Sequence, residues 1–276
     1  MTLAAEPFEP AWLLGHRHAQ TIWPALFRRG APPRLLAECW PAPDGESLDL
    51  ELLPDRPGRP GVLVLHGLEG SSRARYVRGL LAALDRRGWN AAAVSFRSCG
   101  PSPVRGRRLY HSGDTGDLPF LLERLRARWP GAPLGAVGFS MGGNILLKWL
   151  GEEGERAPLD AAVAVSVPFD LGACAAALDG PGFFPALYRK RFLRTLRRKA
   201  LALAARFPGA IDAAAVRACC TFARYDELVT APLFGFASAA DYWARCSSAA
   251  FLERVRRPAR LISAEDDPIE IGRAHV

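Results

Sequence analysis

The order of apolar and helical segments predicts an α/β fold with a mostly parallel central sheet and helices on both faces. Short, continuously apolar runs alternate with longer stretches of helical periodicity. Continuously apolar strands are typical of parallel sheets, because helices cover both sides of them. The 276 residues, 49% of them hydrophobic, suit one large domain with a substantial core. The five predicted core strands are GVLVLHG (61–67), NAAAVSF (90–96), LGAVGFS (134–140), DAAVAVSVPF (160–169) and PARLISAEDD (258–267).

Helices are predicted between these strands, at 73–88, 114–131 and 142–154. The first ends at a glycine, and the second carries acidic residues in its predicted first turn, where the helix dipole favours negative charge. Ahead of all of them, LLAECWPAPDGESLDLELL (35–53) predicts two antiparallel strands around an Asp-Gly turn, opening the sheet.

Residues 171–257 interrupt the alternation of strands and helices. They are mostly helical in pattern, with breaks at PGFFP and APLFGF. An insertion at this point is expected to form a helical cap over the carboxyl ends of the strands. Residues 1–269 are therefore interpreted as a single domain, with the cap insertion at about 171–257.

The net charge of +8 comes mainly from arginine, in a sequence that is also rich in alanine, glycine and proline. Such a composition is typical of GC-rich coding, so the charge alone says little about partners. No basic patch interleaved with aromatics is evident, and we expect no nucleic-acid partner. The densest basic run, RKRFLRTLRRK (189–199), is either a solvated helix face or a contact with an anionic membrane surface.

The expected location is the cytoplasm. The six cysteines form no CxxC pair and no zinc spacing, which favours reduced thiols. The N-terminus lacks the basic start and long apolar core of a signal peptide, and no apolar run is long enough to span a bilayer.

Gly138-Phe139-Ser140-Met141-Gly142 is a GxSxG pattern that follows a predicted strand and opens a predicted helix. In this setting a strained turn exposes a serine hydroxyl above the sheet, so Ser140 is the candidate nucleophile. Its oxyanion would be held by the backbone N–H of Met141 and by an N–H from the loop after the first core strand, for which Leu68 is the candidate. His66 is expected to shape that loop. No metal-ligand cluster and no cofactor motif is present, so we expect neither a metal nor a cofactor.

Several longer stretches carry a resemblance to a known family. HGLEGSSRARYVRGL, RSCGPSPVRGRRLYHSGDTGDL, GFSMGGNILLKWLGEEG, YDELVTAPLFGFASAADYW and AEDDPIE resemble the YheT-like branch of the α/β-hydrolase superfamily, which includes ABHD-type esterases and monoacylglycerol lipases. The resemblance covers nearly the whole chain. It implies an α/β-hydrolase fold, a Ser-Asp-His triad and hydrolysis of small-molecule or lipid carboxylic esters, such as short-chain esters or monoacylglycerols.

The resemblance places Ser140 as the nucleophile and Asp267 as the acid. The position after a late strand independently favours an acid at the end of PARLISAEDD. Asp266 stays the near alternative to Asp267. Asp170, just after the fourth core strand, is a weaker one.

The triad histidine follows the acid in this fold after one more helix and strand, and His275 lies only eight residues beyond Asp267. His275 therefore comes too early. Residues 270–276, ending IGRAHV, match the translation of a sequencing-library adapter and are interpreted as read-through. On this interpretation the chain lacks its last strand, last helix and catalytic histidine, and it is expected to be nearly inactive.

Two alternatives to ester hydrolysis remain open at this point. One is thioester hydrolysis or acyl transfer on the same fold. The other is a non-catalytic scaffold that uses the hydrolase fold and a basic face to bind membranes.

Overall fold

The computed structural model describes residues 10–12, 14–27, 30 and 33–268. Within them seven strands form one sheet in the order β1-β2-β4-β3-β5-β6-β7. The strands are β1 (Leu36–Pro41), β2 (Ser47–Leu52), β3 (Gly61–Leu65), β4 (Asn90–Ser95), β5 (Leu134–Phe139), β6 (Ala161–Val165) and β7 (Ala259–Ile262).

The sheet is mixed but mostly parallel, as predicted. β3 pairs in parallel with β4 and β5, β5 with β6, and β6 with β7. β1 and β2 form the predicted antiparallel hairpin, and β2 continues antiparallel onto β4. Gly45 has φ of +83° in the connecting turn, a conformation that glycine adopts without steric strain.

Ten α-helices are described along the chain. They are α1 (Arg17–Phe27), α2 (Arg75–Arg86), α3 (Leu118–Arg128), α4 (Met141–Glu153), α5 (Leu171–Asp179), α6 (Phe183–Arg206), α7 (Ala213–Ala218), α8 (Phe222–Tyr225), α9 (Ala231–Phe234) and α10 (Ala239–Cys246). A π-helical turn (Asp226–Thr230) joins α8 to α9, and a 3₁₀ helix (Ser248–Arg254) precedes β7.

Alternate residues of the central strands supply two separate cores. Leu63 and Leu65 of β3 are buried with apolar side chains of α3 and α4 on one face of the sheet. Val62 and Val64 are buried with α2 on the other face. Because side chains alternate along a strand, a continuously apolar strand needs cover on both sides, and the helices provide it.

The chain between β6 and β7 is helical and has an apolar core of its own, built largely from α5, α6, α7 and α8. The predicted function of this segment as a cap stays a prediction. No helix among the described residues is both long and apolar enough to cross a membrane.

Two helices differ from the prediction. α3 begins at Leu118 instead of residue 114, because Asp117 occupies its N-cap position and Asp114, before the helix, is paired with Arg108 at 2.5 Å. α1 has no counterpart in the predicted elements. The predicted tail (270–276), including His275, lies outside the described residues.

Candidate active site

Ser140 occupies the single residue between β5 and α4. Its backbone has φ of 48° and ψ of −119°, a conformation that non-glycine residues rarely adopt. Its N–H donates to the Val165 carbonyl of β6 at 2.8 Å, and its carbonyl accepts from the Asn144 N–H at 3.0 Å, one turn into the helix. The strand and the helix therefore fix the strained turn from both sides, in the setting expected for a nucleophile.

Gly142 lets the start of α4 pack directly against the end of β3. A Cβ at this position would lie 2.6 Å from the carbonyl oxygen of His66, a backbone atom with little freedom to move. A side chain here would thus push the helix away from the strand. Across the same gap, a Cβ on Gly67 would lie 3.3 Å from the Ser140 Cβ, so the loop after β3 runs directly beside the serine.

The loop after β3 is held by two tyrosine hydroxyls. The Gly67 N–H donates to Tyr76 at 2.8 Å, and the Glu69 N–H donates to Tyr110 at 3.0 Å. Between them, the Leu68 N–H has no acceptor among the described residues. A backbone N–H held in place by its bonded neighbours but free of an acceptor is suited to bind a developing oxyanion.

Met141 is the first residue of α4, and its side chain is buried. Its N–H precedes the first bond within the helix, which runs from the Asn144 N–H to Ser140. The unbonded amides at a helix N-terminus favour negative charge. The oxyanion hole formed by the N–H groups of Leu68 and Met141 stays a prediction.

His66 is a structural residue of the loop. Its Nε2 accepts from the Phe96 N–H at 3.0 Å, so Nδ1 carries the proton and donates to the Gly67 carbonyl at 2.7 Å. The ring is fully buried, and this burial lowers its pKa to about 4 despite the bond to Gly67. The neutral imidazole therefore links the ends of β3 and β4 with both nitrogens engaged.

Glu69 and Lys199 join the loop to helix α6. The Lys199 ammonium lies 2.7 Å from Glu69 Oε1 and 3.1 Å from the Cys99 sulfur. Tyr110 donates its hydroxyl to the same Glu69 carboxylate at 2.6 Å. The side chains of Glu69 and Lys199 are 6% and 17% exposed, so the pair is largely withdrawn from water. The helical segment after β6 therefore contacts the loop next to Ser140 through a buried ion pair.

Asp267 follows β7 at the same carboxyl edge of the sheet at which Ser140 follows β5. It is half-buried in a turn closed by its N–H on the Ala264 carbonyl, whereas Asp266 is exposed. Burial raises the pKa of Tyr188 on α6, and the negative charge of Asp267 raises it further. Asp170 is exposed and caps α5, accepting from the Ala173 N–H at 2.9 Å. Asp267 is thus the one of the three carboxylates that is partly buried, and its role as the acid stays a prediction.

The other described histidines contact residues away from this loop. His18 is buried, stacks on Phe184 with ring centroids 3.6 Å apart, and bonds the Tyr188 hydroxyl at 3.0 Å. His111 packs among Phe234, Phe236 and Tyr242, and burial lowers its pKa to about 3. Within the described ranges, no group of three or more His, Cys, Asp or Glu side chains is placed to hold a metal ion.

The sheet order, the strained serine turn and the adjacent loop define an α/β hydrolase. The chain belongs to the α/β hydrolase fold family, whose sequence pattern matches residues 60–271, and within it to the YheT-like branch. It is 38% identical to YheT of Escherichia coli K12, a protein provisionally named an esterase, over 91% of this chain and 75% of that protein.

Two further proteins are similar to this chain, one in sequence and one in fold. The monoacylglycerol lipase of Saccharomyces cerevisiae is 31% identical, over 78% of this chain and 49% of its own length. The chain thus spans about half of this curated relative. The esterase Pf2001 of Pyrococcus furiosus superimposes with a TM-score of 0.51 at 18% identity, over 86% of this chain and 72% of that one, which shows a shared fold.

Proposed function

We propose that this chain is a serine hydrolase of carboxylic esters, with Ser140 as its nucleophile. The observation that carries the proposal is the left-handed Ser140 turn beside a loop whose Leu68 N–H is held without an acceptor among the described residues. A nucleophile and a preformed donor for the tetrahedral oxyanion are the two parts that acyl transfer most needs in one place.

In the proposed mechanism the Ser140 hydroxyl attacks the ester carbonyl. The N–H groups of Leu68 and Met141 stabilise the negative charge that forms on the carbonyl oxygen, and a histidine base removes the serine proton. Asp267 orients that base. The alcohol then leaves, and water hydrolyses the acyl-enzyme. The proposal assigns no histidine to the base.

Small-molecule or lipid esters are the proposed substrates. The names of the relatives support this class, since they include an esterase and a monoacylglycerol lipase. We retain residues 171–257 as a cap insertion of a single domain (1–269). The Lys199–Glu69 pair supports this placement, because it brings α6 against the loop at the carboxyl end of β3.

The test is covalent labelling with a fluorophosphonate probe, which reacts with activated serines. We expect the full-length protein, with its histidine base, to be labelled and its Ser140→Ala variant to lose the label. Ser166→Ala is the matched control, because Ser166 follows the neighbouring strand β6 and also has positive φ, of 49°. An unlabelled full-length protein, or labelling that survives in Ser140→Ala, contradicts the proposal.

Turnover of p-nitrophenyl butyrate and of an acyl-coenzyme A by the same samples distinguishes esters from thioesters. The ester assay also measures the low activity expected from the sequence.

A further inference from the structure

The excess positive charge of the chain is concentrated in one segment. Residues 183–218 hold nine lysines and arginines and one aspartate, a net charge of +8 that equals the net charge of all 276 residues. The remainder of the chain is balanced. A coding bias would spread arginine along the sequence, so this local excess calls for a physical explanation.

Helix α6 presents two different faces. Arg189 and Arg197 bond backbone carbonyls of α5 and of the end of α7, and Lys199 reaches Glu69. A second set of residues, spaced three to four apart, is exposed along the opposite stripe of the helix. This set is Phe183, Leu187, Lys190, Arg191, Arg194 and Arg198.

The apolar end of this stripe continues onto α1. Phe183 is 75% exposed and Leu187 42% exposed. Phe183 contacts Phe184, which lines a groove of about 410 Å³ together with Trp23 and Phe27 of α1. Trp23 and Phe27 are each 51% exposed, so large apolar side chains of two helices form one continuous exposed surface.

The basic end of the stripe borders a depression of about 380 Å³. Four arginines and one leucine line it: Arg194, Arg197, Arg198, Arg217 and Leu201. No carboxylate in the described ranges pairs with any of these guanidinium groups. Clustered arginines without acidic partners attract anions, and phosphate oxygens accept their hydrogen bonds in pairs.

We propose that this surface of α6 and α1 docks onto a bilayer that contains anionic phospholipid. The stripe from Phe183 to Arg198 covers 16 residues, or about 22 Å along the helix at about 1.5 Å per step. A flat bilayer surface can therefore contact the apolar end and the basic end of the stripe at the same time. Lipid headgroups match the arginines and the acyl-chain boundary matches the phenylalanines and tryptophan, an arrangement typical of interfacial helices. This proposal does not depend on Ser140 being catalytic.

The test is sedimentation of the full chain with phosphatidylcholine vesicles, with and without about 30 mol % phosphatidylglycerol. We expect binding to the anionic vesicles that weakens with salt. Each arginine near a membrane surface contributes about fivefold to binding, so Arg194→Gln/Arg198→Gln weakens it about thirtyfold. Phe183→Ser/Leu187→Ser weakens it about tenfold or more through lost apolar insertion, whereas Phe183→Leu/Leu187→Phe retains it.

The matched control is Arg86→Gln/Arg87→Gln. These exposed arginines end α2 immediately before β4 and so lie at the amino ends of the strands, the opposite end from the contact of α6 with Glu69. The control is expected to bind as the unchanged chain does. Equal binding to both vesicle types, or an equal loss in the control, overturns the proposal. If the Arg194/Arg198 variant loses affinity for RNA but not for vesicles, the surface binds nucleic acid instead.

Discussion

At the scale of single residues, His66 shows how burial sets protonation. Both ring nitrogens are bonded to backbone groups, and the ring must stay neutral to accept from Phe96. The folded-state pKa of about 4 lies below the ordinary value of 6.5. As the pH falls, the unfolded chain therefore takes up a proton at His66 before the folded chain does. The stability that the neutral ring contributes is therefore complete above pH 6.5 and is lost as the pH falls towards 4.

We expect the His66→Gln variant to be less stable than the unchanged chain at pH 7 and to lose this part of the pH dependence. The difference in unfolding free energy between the two narrows by about 2 kcal/mol between pH 6.5 and pH 4.5, since one pKa unit corresponds to about 1.4 kcal/mol. Urea denaturation at several pH values measures it. A difference that stays constant over this window refutes the assignment of a neutral His66.

At the scale of secondary-structure elements, a single buried ion pair fastens α6 to the loop after β3. Removing one member of such a pair leaves the other charge without compensation in a place that water barely reaches. The Glu69 carboxylate then keeps only the Tyr110 hydroxyl as a side-chain partner in the described chain. The orientation of α6 and the position of Leu68 thus depend on the same contact.

We expect Lys199→Met to lower the free energy of unfolding by about 3 kcal/mol, and the double variant Glu69→Gln/Lys199→Met to recover part of that loss. Urea denaturation of the two single variants and the double variant measures the coupling. Arg156→Met is the control, because Arg156 pairs with Glu153 while 77% exposed, and such pairs contribute less than about 1 kcal/mol. A loss in Lys199→Met no larger than in the control rules out the buried pair as an anchor.

At the scale of the whole molecule, the two edges of the sheet differ. β1 has Glu38, which pairs with Arg128 at 2.9 Å, and ends at Pro41. Charged residues and proline discourage the pairing of edge strands. β7 has a paired neighbour on one side only in the described part of the chain, and all four of its residues are exposed. Leu261 and Ile262 make this edge apolar.

We expect the 276-residue polypeptide to self-associate through β7 as its concentration rises, and Leu261→Lys to reduce that association. Sedimentation velocity over a series of concentrations measures it. Leu36→Lys adds the same charge to β1 at nearly the same exposure, 38% against 39%, and is expected to leave association unchanged. Equal effects of the two substitutions argue against β7 as the contact.

The fold was predictable where the determinants are local. The continuous apolar runs of β3 and β5, and the glycines around Ser140, specify their own conformation within a few residues. The start of α3 was misplaced because the carboxylates of Asp114 and Asp117 both bond arginines outside the helix, Arg108 and Arg97. From the sequence alone, both aspartates were expected in the first turn of the helix.

The contacts of α6 with the candidate site and with α1 were harder to predict because the partners lie far apart in sequence. Glu69 and Lys199 are separated by 130 residues, and His18 and Tyr188 by 170. No periodicity or spacing encodes such pairs. The basic run made Lys199 a visible candidate for a contact. Only the orientation of α6 shows that Lys199 faces inward while Arg194 and Arg198 are exposed.

The left-handed turn at Ser140 also bears on how this sequence can change over time. A serine in such a conformation destabilises the fold by about 1–3 kcal/mol relative to a residue that adopts it freely, and glycine is that residue. Selection for thermal stability alone would therefore accept glycine at position 140 and discard the hydroxyl. If serine persists at this position, selection for activity has outweighed selection for folding stability. Mutant libraries designed to stabilise this protein should therefore leave residue 140 unchanged.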